Sequence, residues 1–183
     1  RPMTDQPETF AFDTENKALA DMHVGKYPEG RQASAVLPLL DIAQRQCGGW
    51  LPRAAMEYVA ELLDMAPIRV YEVVSFYEMY YDTPRGKHEL RVCTTTPCWL
   101  RGSTEIVAAC EAELGCTVGE TTGDGVFSLS EFECLGACVN APVVWIDDDY
   151  YEDADPESVR KLIQAFRDGE RPKPGPMTDR QTS

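Results

Sequence analysis

Two short stretches, RVCTTTPCWLRG at 91–102 and ECLGACVNAP at 133–142, hold four of the seven cysteines of this chain. Cys93 and Cys98 are separated by four residues, Cys134 and Cys138 by three. Four thiolates converging on one place make a metal site. Structural zinc accepts four cysteines too, but its pairs are usually tight C-x-x-C knuckles, and neither pair has that spacing. A four-residue gap recurs in plant-type iron–sulfur ferredoxins, where longer loops wrap a bulkier group. A two-iron cluster needs two ligands on each iron, and two separate pairs supply them. The spacing therefore favours an iron–sulfur cluster and leaves zinc, disulfides or free thiols open.

The residues around the pairs suit a cluster. Thr94, Thr95, Thr96, Gly102, Gly136 and Ala137 are small or hydroxylic, so backbone N–H and hydroxyl groups can approach sulfur. Such hydrogen bonds, with solvent exposure, help set a reduction potential. Pro97 and Pro142 stiffen the loops, which is also ordinary turn chemistry. Cys110, on a helix with Ala neighbours, reads as a buried structural thiol. Cys47 and Cys116 receive no function. His23 and His88 are isolated and read as surface residues. No nucleophile–base arrangement is visible, and no G-x-G-x-x-G follows a strand. A cluster without a substrate site describes an electron carrier whose partner supplies the reactive cofactor; this chain alone holds no complete active site.

The elements that must place these thiols fall into two halves. Up to about residue 85 the pattern is helical: a short polar segment at 14–22, then 31–47 with Val36, Leu39, Leu40 and Ala43 on one face. Pro38 inside that run predicts a kink or a late start. Gly48 and Gly49 stop the helix. A helix over about 52–65 follows, with Pro52 in its first turn and Ala55, Met56, Val59, Leu62 and Leu63 on its apolar face. Pro67 opens a third segment whose buried side is read as Val70, Val73, Val74 and Tyr77. YDTPRGK at 81–87 is the best domain boundary. Beyond it, HELRV at 88–92 alternates as a strand ending in Cys93. Residues 103–114 read as a helix with Ser103 as its N-cap and Gly115 as its stop. Residues 126–134 and 143–147 read as strands, and a last helix runs from Asp155-Pro156 to about Asp168. Each cysteine pair thus lies just after a strand, and strand ends distant in sequence can be neighbours in a sheet. The fold expected is α+β: residues 1–13 an N-terminal extension, 14–85 a helical bundle, 86–170 a β-α-β-β-α domain of thioredoxin-like type, and 171–183 a Pro-rich tail, extended or mobile.

The chain has 183 residues, room for one sizeable domain or two small ones. Acidic residues outnumber basic ones 31 to 17, for a net charge of −14. A polyanion is a poor ligand for such a surface, so nucleic acid is not expected; the acidity serves solubility or docking to a basic partner. No apolar run is long enough to span a bilayer, so membrane association is expected through a partner. The chain begins at Arg1, read as a removed leader or a truncated terminus, and no secretory signal is visible. Cysteines in such a chain point to metal binding or redox chemistry.

CTTTPCWLRGS (93–103) with ECLGACVNAP (133–142) resembles the thioredoxin-like [2Fe–2S] subunit of respiratory complex I, NADH:ubiquinone oxidoreductase. YPEGRQASAVLPLLDIAQRQ (27–46), VYEVVSFYEMY (70–80), and the YYED and PKPGP stretches are similar to that family as well, so the resemblance covers roughly residues 10–176. It implies that Cys93, Cys98, Cys134 and Cys138 are the four cluster ligands. It implies a peripheral subunit of the NADH-dehydrogenase module. The partners would be the flavoprotein subunit that binds FMN and NADH, and the iron–sulfur subunit of the peripheral arm. The cluster would exchange one electron with FMN, off the main route to quinone, and store it briefly to shorten the life of a reactive flavin radical. The location implied is the matrix side of the mitochondrial inner membrane, with the cytoplasmic face of a bacterial inner membrane as the alternative. The diaphorase module of an NAD-linked hydrogenase or formate dehydrogenase shares the motifs, and a structural zinc adaptor is the reading from another class. Trp99 stands where the family often has Met or Leu, and Val74-Ser75 where Ala-Thr is usual; neither touches a ligand. Tyr71, Phe76, Tyr77, Tyr80 and Tyr81 read as core, with any left on the outer face suited to an interface.

Overall fold

Helix starts and stops along this chain are set by local chemistry. The computed structural model describes residues 6–181; Arg1 to residue 5 of the N-terminal extension and residues 182–183 of the tail lie outside the described residues. The chain divides between Arg85 and Gly86 into two units.

In the first unit, α1 (Thr14–Val24) is capped by Asp13, whose carboxylate accepts the Asn16 N–H at 2.8 Å. A 3₁₀ turn at Gln32–Ala35 leads into α2 (Val36–Gln46). Pro38 therefore stands in the first turn of α2, where no backbone donor is needed, and the late start is the outcome of the two expected. Gly48 and Gly49 take positive φ (74° and 96°), and the Gly49 N–H returns to the Gln44 carbonyl at 2.9 Å. Then come α3 (Arg53–Leu62), with Pro52 as its N-cap, and α4 (Pro67–Phe76). Helix α2 packs against α1, α3 and α4, and α3 against α4. Leu39, Leu40, Leu51, Val59, Leu63 and Val70 are completely buried there. Each such side chain contributes about 1.5–3 kcal/mol of transfer free energy.

Tyr77 corrects the expected face of α4. The helix ends at Phe76, Tyr77 is extended, and its ring is exposed. The buried aromatic is Tyr80, whose hydroxyl donates to the Leu37 carbonyl at 2.8 Å. Tyr71 and Phe76 are exposed too, so the aromatic segment is not uniformly core.

The second unit is built on a sheet of β1 (His88–Cys93), β2 (Phe127–Phe132), β3 (Val144–Ile146), β4 (Asp149–Glu152) and β5 (Gly175–Pro176), in the order β2-β1-β3-β4-β5. Strands β1 and β2 are parallel, β3 runs antiparallel to β1, and β4 antiparallel to β3. Between β1 and β2 lie the short α5 (Thr96–Leu100) and α6 (Ser103–Leu114); α7 (Pro156–Arg167) packs on α6. Leu90, Val92, Phe127, Leu129, Val144, Ile146 and Tyr151 face these helices and meet Ile106, Val159, Ile163 and Phe166. Overall the chain is α+β, with helices and a mixed sheet.

Several expectations are corrected here. All of β1 is buried, including His88, Glu89 and Arg91. His88 is no surface residue: it is 5% exposed, and its Nδ1 lies 2.8 Å from Asp147 Oδ2. Burial of the polar side of β1 is offset by partners, since the Ser130 hydroxyl donates to Glu89 at 2.9 Å and the Arg91 guanidinium lies 3.9 Å from the Trp145 ring centre. Ser103 is the first residue of α6 rather than its cap; Gly102 (φ 97°) holds that place, and the buried Ser103 hydroxyl has no hydrogen-bond partner. The first three residues of YYED lie in β4, with Asp153 outside it, and the tail is partly ordered into β5, where Met177 N–H pairs with the Glu152 carbonyl at 2.8 Å.

Candidate metal centre

Cys93 is the last residue of β1 and stands in register with Phe132, the last residue of β2. Its N–H donates to the Val143 carbonyl (3.1 Å), and the Thr94 N–H to the Phe132 carbonyl (3.2 Å). The parallel pairing therefore carries the segment just after β2, with Cys134, to the end of β1 where Cys93 sits. Cys98 does not lie in an open loop: it is in α5, whose first turn contains Pro97, and this turn folds it back toward Cys93. Cys138 opens a 3₁₀ turn, Cys138–Asn140.

The four thiols form an inner and an outer pair. Cys93 and Cys98 are 2% and 1% exposed and pack with Ala137, Ala141 and Val143, flanked by Leu135 and Tyr150. Cys134 and Cys138 are exposed, with their Sγ atoms 3.4 Å apart. Among the described residues no three ligand-type side chains surround a point where one ion would sit. Two adjacent dithiol pairs are the donor set that a two-metal cluster takes.

Each pair contains one thiol that ionises more readily than the other. At Cys93 burial opposes ionisation. Hydrogen bonds from the Thr95 hydroxyl (3.3 Å) and N–H, from Cys98 and from the Leu135 N–H outweigh it, and the pKa falls below the ordinary thiol value. At Cys98 burial comes first and the Cys93 sulfur second, and the pKa is pushed up to about 12 despite the Val143 N–H. In the outer pair, the Gly136 N–H and then Cys138 hold Cys134 below the ordinary value. Cys138 is raised, first by its hydrogen bond to Cys134 and then by burial. Metal binding requires the thiols to give up their protons.

Of the small residues expected beside sulfur, Thr95 and Gly136 are there as donors, and Gly136 has φ 84°. Gly102 instead caps α6. Leu135 and Val143, which donate through backbone N–H groups, carry no sequence signal because any residue but proline has that group. Tyr150, packed against the inner pair, was also not expected there. Cys110 lies in the core of the second unit and Cys116 packs against it, and Cys47 is the C-cap of α2 in the first. Burial pushes the Cys110 thiol up to about 12, as suits an inert structural cysteine. Trp99, Leu100 and Val139 are exposed apolar side chains, each next in sequence or close to a site cysteine.

Three comparisons bear on this site. The family model for thioredoxin-like [2Fe–2S] ferredoxin matches residues 20–167. A NADH-quinone oxidoreductase subunit of Rickettsia typhi is 56% identical over 158 residues, 86% of this chain and 93% of that protein. The mitochondrial NADH dehydrogenase [ubiquinone] flavoprotein 2 of Dictyostelium discoideum is 48% identical over 174 residues, 95% of this chain and 70% of that one. Among solved structures, an NAD⁺-reducing [NiFe]-hydrogenase in the air-oxidised state matches 72% of the chain with a TM-score of 0.62 at 19% identity. That likeness is one of fold, and the chain spans 23% of the hydrogenase chain.

Proposed function

The chain belongs to the thioredoxin-like [2Fe–2S] ferredoxin family, and from that premise we propose that it is the electron-transfer subunit of NADH:quinone oxidoreductase, respiratory complex I. The single observation that carries this reading is the placing of Cys93 at the end of β1 and of the Cys134–Cys138 pair past the adjacent end of parallel β2, in a chain 56% identical to a complex I subunit. Its cofactor is a [2Fe–2S] cluster, with Cys93, Cys98, Cys134 and Cys138 as its ligands. When bound, such a cluster accepts and returns one electron.

The chain's own groups do the rest. The two pairs supply four thiolate charges once their protons leave. The Thr95 hydroxyl and the N–H groups of Leu135, Gly136 and Val143 point donors at sulfur, which favours added negative charge and so raises the potential. The inner pair lies in an apolar wall that excludes water, while the outer pair reaches the surface where a partner can approach. That partner is the flavoprotein subunit that carries FMN and NADH, with the iron–sulfur subunit of the peripheral arm beyond it. Residues 14–85 serve as a helical bundle and 86–170 as the cluster domain of thioredoxin-like type. No helix among the described residues is long and apolar enough to cross a membrane, which supports a peripheral place on the membrane complex, at the matrix face of a mitochondrial inner membrane or the cytoplasmic face of a bacterial one.

A diaphorase module of a hydrogenase or formate dehydrogenase uses the same parts, but the hydrogenase likeness is confined to fold. The test is purification from the native membrane with identification of the neighbours, together with metal analysis, visible absorbance and electron-spin resonance. Iron with acid-labile sulfide, a reddish-brown colour and a spin signal on reduction are expected, in the company of complex I subunits. A colourless chain with one tightly held zinc would overturn the reading, and hydrogenase subunits as neighbours would replace complex I with the diaphorase.

A further inference from the structure

The segment after α7 adds β5 to the edge of the sheet beside β4 and then reaches the turn that carries Cys138. Beyond β5, the Arg180 side chain donates through one nitrogen to the Val139 carbonyl (2.9 Å) and through another to the Asp153 carboxylate (2.7 Å). The Thr178 hydroxyl donates to the same carboxylate at 3.1 Å. The Asn140 amide, 1% exposed, donates to Glu152 at 2.6 Å and to the Gln181 carbonyl at 2.7 Å. The Asp153 N–H closes the group on the Asn140 carbonyl at 2.7 Å. Two of the three residues of the Cys138–Asn140 turn are thus tied to the segment after β5 and to the end of β4.

The turn is flanked by buried Ala137 and Ala141, but its first two residues face solvent. Cys138 and Val139 are exposed, Val139 by 77%. The Asp153 side chain is 4% exposed, so its charge requires a paired donor, and Arg180 is the cation that meets it. Arg180 is 43% exposed and reaches the turn from solvent, outside the apolar wall around the inner pair.

We infer that the segment Gly175–Gln181 is a strap that fixes the Cys138 turn for the cluster, with Arg180 and Asn140 as positioning residues. Arg180 touches no sulfur; it acts through the Val139 carbonyl, one residue from the ligand. The inference rests on the reading of Cys138 as a cluster ligand. Groups that orient a metal ligand typically change metal retention by about 10–100-fold when removed.

The experiment uses the full chain carrying its cluster. The rate at which a chelator bleaches the visible absorbance, the spin spectrum of the reduced protein and the melting temperature are compared for wild type, Arg180→Ala, Arg180→Lys and Lys161→Ala. The last removes an exposed charge of the same sign on α7. Arg180→Ala is expected to bleach about 10-fold faster and to alter the spin spectrum. Arg180→Lys, which has one donor group instead of a fork, falls between, and Lys161→Ala matches wild type. Should Arg180→Ala not fold, Thr178→Val loosens Asp153 with Arg180 in place, and a smaller acceleration is expected. An Arg180→Ala or Thr178→Val chain that bleaches at the wild-type rate with an unaltered spin spectrum overturns the strap. Faster bleaching that merely follows the melting temperature overturns it as well. A wild-type chain that takes up no iron–sulfur cluster removes the functional reading itself and the strap's role with it.

Discussion

Cys93 and Phe132 are register partners at the shared end of two parallel strands, and the 33 residues 94–126, with α5, α6 and connecting chain, join the two strands. Parallel pairing requires such a crossover, and its consequence is that the segment after β2 arrives beside the end of β1. Cys134 is two residues past Phe132, so its place beside Cys93 is a property of the sheet rather than of the loop. Replacing Cys134 by Ala should therefore abolish the normal cluster without unfolding either unit. Visible absorbance and spin resonance check the first part, and far-ultraviolet circular dichroism the second. A Cys134→Ala chain with the wild-type spin spectrum would remove Cys134 from the ligand set.

Gly86 lies against β2 closely enough that no side chain fits. A Cβ there would come within 2.5 Å of the Phe127 carbonyl carbon and 2.7 Å of the Ser128 nitrogen, both backbone atoms that cannot swing away. The Gly86 N–H also donates to the Ser128 hydroxyl at 2.7 Å. Gly86→Ala should destabilise the second unit by about 1–3 kcal/mol, the usual cost of overpacking. Denaturant unfolding followed at the sheet tryptophan, Trp145, measures it; a midpoint equal to wild type would show that the segment can shift aside.

Asp155 caps α7 in a reciprocal box, its carboxylate accepting the Ser158 N–H at 2.7 Å while the Ser158 hydroxyl accepts the Asp155 N–H at 2.9 Å. The Ser158 N–H is the main reason its pKa lies below the ordinary aspartate value. A depressed folded-state pKa gives stability that is present above the unfolded value, near 4, and lost as pH falls through the folded value. Asp155→Ala should cost about 1 kcal/mol at neutral pH. The gap to wild type should close in acid, as the wild-type carboxylate takes up its proton. Melting temperatures of the two chains across that range decide it, and a gap independent of pH would show that the cap's charge is immaterial.

Local signals in the sequence were legible where the physics is local. The Asp155-Pro156 start, the Gly48-Gly49 stop and the delayed start at Pro38 all depend on residues within one turn of the boundary. That Cys93 ends β1 and Cys134 follows β2 was legible in the alternation of those two stretches. What escaped was what depends on distant partners. His88 looks like a surface residue in HELRV because the groups that let it be buried, Asp147 and the rings of Phe127 and Phe166, come from elsewhere in the chain. Strand β5 has two residues, one of them Pro, and no periodicity from which to read it. The strap contacts on Val139 and Asn140 cross about forty residues. Tyr77 was misplaced because a helical period was continued past Phe76, where the backbone turns extended and the buried face passes to Tyr80.

Tyr80 is the consequence of that turn, and it can be tested alone. Its ring is 6% exposed and its hydroxyl donates to the Leu37 carbonyl in the first turn of α2. Burial is the largest reason the phenol's pKa is raised, so the group stays neutral throughout the usual pH range and its hydrogen bond does not titrate there. Tyr80→Phe keeps the ring and removes the donor, leaving the Leu37 carbonyl short of one partner. The expected cost is about 1 kcal/mol, independent of pH between acid and neutral conditions. Tyr77→Phe, on the exposed ring, should cost nearly nothing. Denaturant midpoints of the two variants, read by circular dichroism at the helical signal, decide the matter. Equal losses for Tyr77→Phe and Tyr80→Phe would mean that the buried hydroxyl contributes no more than the exposed one.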